Sequence, residues 1–344
     1  IKLIPVLDLP ISSLASNGDN TKIALSAGKD ILLWDVKNQN QTNGANSLLI
    51  RQQIKDKNIA DIVNGKFEPL SFGPDNQTLL FRSQGARNDY YLTLNTQDGV
   101  IKLVTSGRNM SQTRWLSDKE VLCLYNNNLS LTNIGSGKTQ LLATGIVDCT
   151  WLDNNLYVAQ KNQTGVTILA RINKNGVSEE ELAILPTADK YYFGKIKNQW
   201  LVIATLNNLS TIWLSESAEN NQLTWKQLAA GVRSRVLWDE KYLVYRQGNQ
   251  LMLLEWEKLE KPTVKIGTTS GELVHFSFDT ILYLENRILK SIDLTGQNKY
   301  DLLPLAEANE LVITEPQISQ VLFVNPKNQQ LTAATLREKT TTIF

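Results

Sequence analysis

The chain has 344 residues but one histidine, His275, and two cysteines, Cys123 and Cys149. That scarcity limits the chemistry at once, because most general-base catalysis and most zinc sites draw on histidine. His275 lies in ELVHFSF at the start of a strand-like run and reads as a structural residue, not as part of a Ser-His-Asp triad. Two cysteines make no disulfide framework. They read as buried small hydrophobes, with a single bridge as the alternative. No G-x-S-x-G elbow is present. The stretch NIGSGKTQ (133–140) has the tail of a phosphate-binding loop, but the position that needs glycine is Thr132, and QLLATGIV after it is strand-like. A hairpin turn is expected there. No calcium loop of the D-x-[DN]-x-[DN]-G type occurs, although ASNGDNT (15–21) is polar. The expectation is therefore no catalytic residue, no metal and no cofactor.

Two sets of side chains remain as candidates for binding a partner. Arg82, Arg87, Arg108, Arg114, Arg233 and Arg235 lie near predicted strand ends, and a gathering of them at one face would hold an acidic peptide or a carboxylate. Trp115, Trp151 and Trp238 stand just before polar turns and could offer a stacking surface. The competing reading makes the arginines a scattered solvated surface and the tryptophans wedges in the core. Lysine plus arginine total 35 against 34 aspartate plus glutamate, so nothing favours nucleic acid as a partner of this chain. No apolar run reaches the roughly 18 residues needed to cross a membrane as a helix.

The elements that must carry these residues are announced by a repeat. An extended stretch ends in an aromatic residue or leucine, a polar turn usually with aspartate follows, and then comes a strongly apolar run. Examples are LSFGPDNQTLLF (Phe72, Asp75), RWLSDKEVLCL (Trp115, Asp118), TWLDNNLYVA (Trp151, Asp153), YFGKIKNQWLVIA (Phe193), VLWDEKYLVY (Trp238, Asp239) and FSFDTILYL (Phe278, Asp279). Copies recur about every 35 to 55 residues, the length of one four-stranded propeller blade. The apolar runs are continuous, as in strands covered on both faces. The aspartates are expected to form turns by accepting backbone N–H groups. Helical periodicity is nearly absent, IKDKNIADIV (54–63) being the one candidate for a short helix.

Eight units follow, at approximately 11–50, 65–107, 108–145, 146–187, 188–230, 231–268, 269–305 and 306–344, the last one poor. The predicted fold is all-β, a closed β-propeller of four-stranded blades forming one domain, with eight blades favoured over seven. Residues 1–10 could supply the ring-closing strand, with TTTIF (340–344) as the competitor.

The unit at 11–36, with Trp34-Asp35 ending its third strand, resembles a WD40 repeat. FGPDNQTLLF and YYLTLNTQDGVIKLVTSG resemble the repeats of TolB-type, WD40-like propellers. The Gly-His pair of true WD40 blades is missing. The resemblance implies a propeller in a bacterial, periplasmic setting, with a cytoplasmic location as the alternative. It is compatible with the extracytoplasmic sensor part of a membrane-anchored transcriptional regulator whose anchor lies upstream of Ile1. The leading expectation is a non-enzymatic module that binds a protein or peptide on one face or in the central channel. The alternative is a glycan-active or other propeller enzyme, a hydrolase or lyase, with its site at one mouth of the ring.

Overall fold

A computed structural model of the chain describes residues 2–5, 11–36, 38, 40–108, 110, 112–217, 223–233, 235–259, 263–277, 279–305, 311–313, 320–324 and 331–335. Phe278 and the 340–344 segment lie outside the described residues.

The chain is all-β, and its sheets are antiparallel meanders of four strands. Unit 2, for instance, runs through Lys66–Phe72, Thr78–Gln84, Asp89–Asn95 and Ile101–Gly107. Unit 3 runs through Gln112–Ser117, Glu120–Tyr125, Asn128–Asn133 and Thr139–Thr144. Units 5 and 6 share one larger sheet, joined by a single residue pair, Val232 and Gln247. Unit 5 starts with Lys190–Ile196 and Gln199–Leu206. Unit 6 starts with the short Leu237–Trp238 and with Tyr242–Gln247. The set at Leu311–Ile313, Gln320–Val324 and Leu331–Thr335 takes its fourth strand from Lys2–Pro5, with Lys2 opposite Thr335 and Pro5 opposite Thr332.

Burial follows the position of each strand in its unit. The second strands are buried almost end to end (Leu79, Leu80 and Phe81 in unit 2; Val121, Leu122, Cys123 and Leu124 in unit 3). The fourth strands are largely exposed, as in Thr139–Thr144, where three residues in a row face water. This gradient is what stacked sheets require: the inner strands are covered on both faces, the outer ones at most on one. The hydrophobic clusters confirm that each sheet is covered by its neighbour. Tyr157 and Leu169 of unit 4 pack with Tyr191, Phe193 and Trp200 of unit 5, and Leu80 and Tyr91 of unit 2 pack with Val121 and Cys123 of unit 3. Burial of this kind contributes about 25 cal/mol per Å² of apolar surface and supplies most of the stabilisation.

The turns carry the expected aspartate chemistry at Asp75 and Asp239, whereas Asp153 takes a φ of 49° and turns its carboxylate to Lys195. Asn126-Asn127 and Asn207-Asn208 both have positive φ at the two central positions, the requirement of a two-residue hairpin matched to strand twist. Asp75 accepts the N–H groups of Gln77 and Thr78, both at 2.9 Å, and Asp239 accepts those of Lys241 and Tyr242, both at 2.7 Å. The 133–140 stretch is a hairpin turn: Asn133 accepts the N–H groups of Gly135 and Ser136, and Gly137 takes a φ of 69°.

The helical expectation is met only in part. Two short helices, α1 (Ser47–Gln53) and α2 (Ile59–Asn64), lie between units 1 and 2. Residues 54–58 are not helical. Asn46 caps α1 by accepting the Leu49 N–H at 2.8 Å, and that cap, upstream of the expected segment, shifts the helix. Cys123 and Cys149 are both free thiols, and both are buried. No helix among the described residues is long and apolar enough to cross a membrane.

Candidate functional site

In most units the repeat aromatic of the first strand is followed by a bulky or charged residue. In units 2 and 5 it is followed by glycine, giving Phe72-Gly73 and Phe193-Gly194. The tryptophan of the next unit then settles on that glycine. The Trp238 ring reaches to 2.9 Å from where a Cβ on Gly194 would stand, and Trp115 to 3.4 Å from a Cβ on Gly73. A cleft is found at each of these two junctions.

The larger cleft, ≈ 790 Å³, lies between units 5 and 6 and reaches the start of unit 7. Lys190 and Tyr192 face it from the first strand of unit 5, and Asn208 from the tight hairpin between that unit's second and third strands. Arg233 and Arg235 come from the connection into unit 6, Trp238 from its first strand, and Glu272 from unit 7. Lys190, Arg233, Arg235 and Glu272 are all exposed. Three cations thus face one carboxylate. Lys190 stacks over Tyr192 with Nζ 4.9 Å from the ring centroid, and neither Lys190 nor Arg233 forms an ion pair with a described residue. His275 is pushed below the usual histidine range by burial and by the positive charge of Arg235. An anion with a flat face satisfies such a site, because guanidinium groups bind carboxylate through paired N–H donors and aromatic rings cover the apolar part.

The smaller cleft, ≈ 500 Å³, lies between units 2 and 3. Leu70, Phe72, Met110 and Trp115 form its apolar lining, with Arg82, Tyr91, Gln112 and Arg114 as polar groups. Its two arginines are both held in place. Arg82 pairs with Glu68 and lies 3.6 Å from Asp89. Arg114 donates to the Cys149 carbonyl at 3.3 Å.

Behind this cleft lies Asp148, 1% exposed. Its carboxylate accepts the Gln112 side-chain amide and the N–H groups of Cys149 at 2.9 Å and Tyr191 at 3.1 Å. Burial pushes its pKa up in spite of those donors and of Arg114 nearby. One buried carboxylate therefore ties the first strands of units 3, 4 and 5 together, between the two clefts.

The nine sequence candidates do not form one gathering. Arg233, Arg235 and Trp238 share the larger cleft, and Arg82, Arg114 and Trp115 share the smaller one. Arg87, Arg108 and Trp151 line neither. Arg108 donates to the Arg87 carbonyl, which fixes a loop edge, and Trp151 is half-buried against the shared core of units 3 and 4. Wedge and wall are not alternatives for Trp115 and Trp238, since each packs on a glycine and lines a cleft with the rest of its ring. Sequence reasoning missed Lys190, Tyr192 and Glu272. The available signal was the Phe-Gly dipeptide, which marks where a neighbour can approach the backbone. Among the described residues no three His, Cys, Asp or Glu side chains gather as a cation site. One carboxylate lines the larger cleft and none the smaller.

No protein-family profile matches the sequence, and no curated protein matches it. Solved structures match in fold. The Dos1 propeller is similar over 98% of this chain and 95% of its own, with a TM-score of 0.62 and 12% identity. The dipeptidyl peptidase 4 of Porphyromonas gingivalis matches over 93% of this chain with a TM-score of 0.58 and 10% identity, this chain spanning 56% of its length. The dihydro-heme d1 dehydrogenase NirN matches over 87% of this chain and 67% of its own, with a TM-score of 0.57 and 13% identity. At such identities the likeness is one of fold, and the fold is that of β-propellers. It corrects the expectation that the chain is not an enzyme. A dehydrogenase and a peptidase are among the structures that share this fold, so the fold does not exclude an enzyme.

Proposed function

We propose that this chain is a recognition module that binds an acidic segment of a protein partner in the cleft between units 5 and 6. One observation carries the reading: Lys190, Arg233 and Arg235 converge from two neighbouring units on a single cleft walled by Tyr192 and Trp238, against the one carboxylate of Glu272. Charge-assisted hydrogen bonds contribute about 1.5–3 kcal/mol each, enough for two or three of them to select an acidic ligand over an uncharged one.

The setting we propose is an eight-bladed ring closed by Lys2–Pro5, of the TolB-like type, working outside the cytoplasm as the sensing part of an anchored regulator. The pairing of Lys2–Pro5 with Leu331–Thr335 supports closure from the N-terminal side. The FGPDNQTLLF repeat supports the TolB-like assignment.

The test is a titration with acetyl-hexaglutamate amide and acetyl-hexaglutamine amide, read by tryptophan fluorescence at low and high salt. The acidic peptide should bind, weaken as salt rises, and lose about tenfold or more in affinity when Arg233 and Arg235 are both changed to alanine. Equal affinity for the two peptides would refute the reading.

A further inference from the structure

The smaller cleft occupies the same place in the repeat as the larger one. Arg82 lies opposite Tyr91 in unit 2, and Thr205 lies opposite Ser210 in unit 5. Arg82 is three residues beyond Leu79, the partner of Phe72, and Thr205 is three beyond Val202, the partner of Phe193. Across the gap, Trp115 and Trp238 each rest on the glycine that follows those phenylalanines. Met110 precedes Trp115 by the same spacing that separates Arg233 from Trp238, and Gln112 by that of Arg235. Both clefts are therefore copies of one inter-unit gap, opening at the same end of the units.

What differs is the chemistry of the wall. Where the larger cleft has Arg233 and Arg235, the smaller has Met110 and Gln112. Gln112 is held by Asp148, Arg82 by Glu68 and Asp89, and Arg114 by the Cys149 carbonyl. The two carboxylates at Arg82 also offset the charge of Arg114, so the surroundings carry no positive excess like that of the larger cleft. The remaining lining of Phe72, Met110, Trp115 and Tyr91 suits an aromatic ring, through edge-to-face contacts and the polarisable thioether.

We propose that this cleft is a second recognition site, taking an aromatic side chain that the same partner presents alongside its acidic segment. The idea extends the acidic-ligand reading, but the two sites are read out separately. In protein labelled with 5-fluorotryptophan, the Trp115 and Trp238 fluorine resonances are assigned from Trp115→Phe and Trp238→Phe. Acetyl-phenylalaninamide should shift the Trp115 resonance with saturation near a millimolar, the affinity range of about 4 kcal/mol that one buried ring supports, and Met110→Lys should abolish that shift. Acetyl-hexaglutamate amide should move Trp238 instead. A Trp115 resonance unmoved by the aromatic amide, or moved no more than Trp238, overturns the second site. A Trp238 resonance unmoved by the acidic peptide overturns the acidic-ligand reading alone.

Discussion

Trp238 lies flat enough on Gly194 that a methyl group there would meet its Cζ2 at 2.9 Å, its Cε2 at 3.2 Å and its Nε1 at 3.3 Å. The backbone at Gly194 does not need positive φ, so alanine tests packing alone. Gly194→Ala should push the ring off the neighbouring unit and cost about 1–3 kcal/mol, the range for overpacking. Gly73→Ala should cost less, because a Cβ there would meet Asp75 Oδ1 at 3.1 Å and Trp115 only at 3.4 Å. Urea denaturation of the two variants checks the order, and the reverse order would detach the clefts from the glycines.

The repeat itself was legible from the residues. Phe72, Trp115, Trp151 and Trp238 lie at or near the ends of first strands and Phe193 within one, and the apolar runs that follow are the buried second strands. Aspartate in the turns could be read because its hydrogen bonding is local. The clefts could not be read that way. Whether a gap between two units opens depends on a glycine in one unit and a tryptophan some forty positions later, and nothing local couples them. Lys190 and Tyr192 escaped notice for a related reason. They sit on alternate positions of a first strand and look like ordinary solvent-facing residues until the neighbouring unit brings its arginines.

Asp148 is the most deeply buried carboxylate of the described residues. Asp148→Asn keeps one acceptor oxygen but turns an NH₂ group toward a donor, a cost of about 1–3 kcal/mol. Its raised pKa adds a sign. The folded state holds the proton more tightly, so wild-type stability from this group is present at low pH and is lost as pH rises from about 3.8 through the folded value. The asparagine variant should therefore be penalised most at low pH and progressively less as the pH rises, as read by urea denaturation. A penalty that grows from pH 4 to 7 would contradict the assignment.

Glu285 has the opposite sign. Burial raises its pKa, but the Ser270 N–H at 2.9 Å, the Thr269 hydroxyl at 2.8 Å and Lys290 at 3.2 Å outweigh that and hold it at about 2. Its contribution is fully present above the unfolded value of 4.5 and is lost as pH falls from there toward 2. The Glu285→Gln variant should be less stable than wild type at pH 7, by about 1–3 kcal/mol, and the difference should shrink as the pH drops. Thermal melts between pH 7 and pH 3 decide it; a gap that is constant with pH would show that Glu285 is not ionised in the fold.

Cys123 and Cys149 are 1% and 2% exposed, and burial pushes both thiols up to about 12. Thiolate is the reactive form, so iodoacetamide at pH 7.5 should label neither in the native protein and both after denaturation. Labelling of the native chain at the denatured rate would mean that the core of units 3 and 4 opens easily.

The pairing of Lys2 with Thr335 has a consequence for biosynthesis. Lys2–Pro5 leaves the ribosome before every other described strand and must wait for the partner it has in the fold until Leu331–Thr335 follows. During that interval both it and the emerging Leu331–Thr335 segment offer open edges to any other nascent chain, and such edges are where strand exchange between molecules begins.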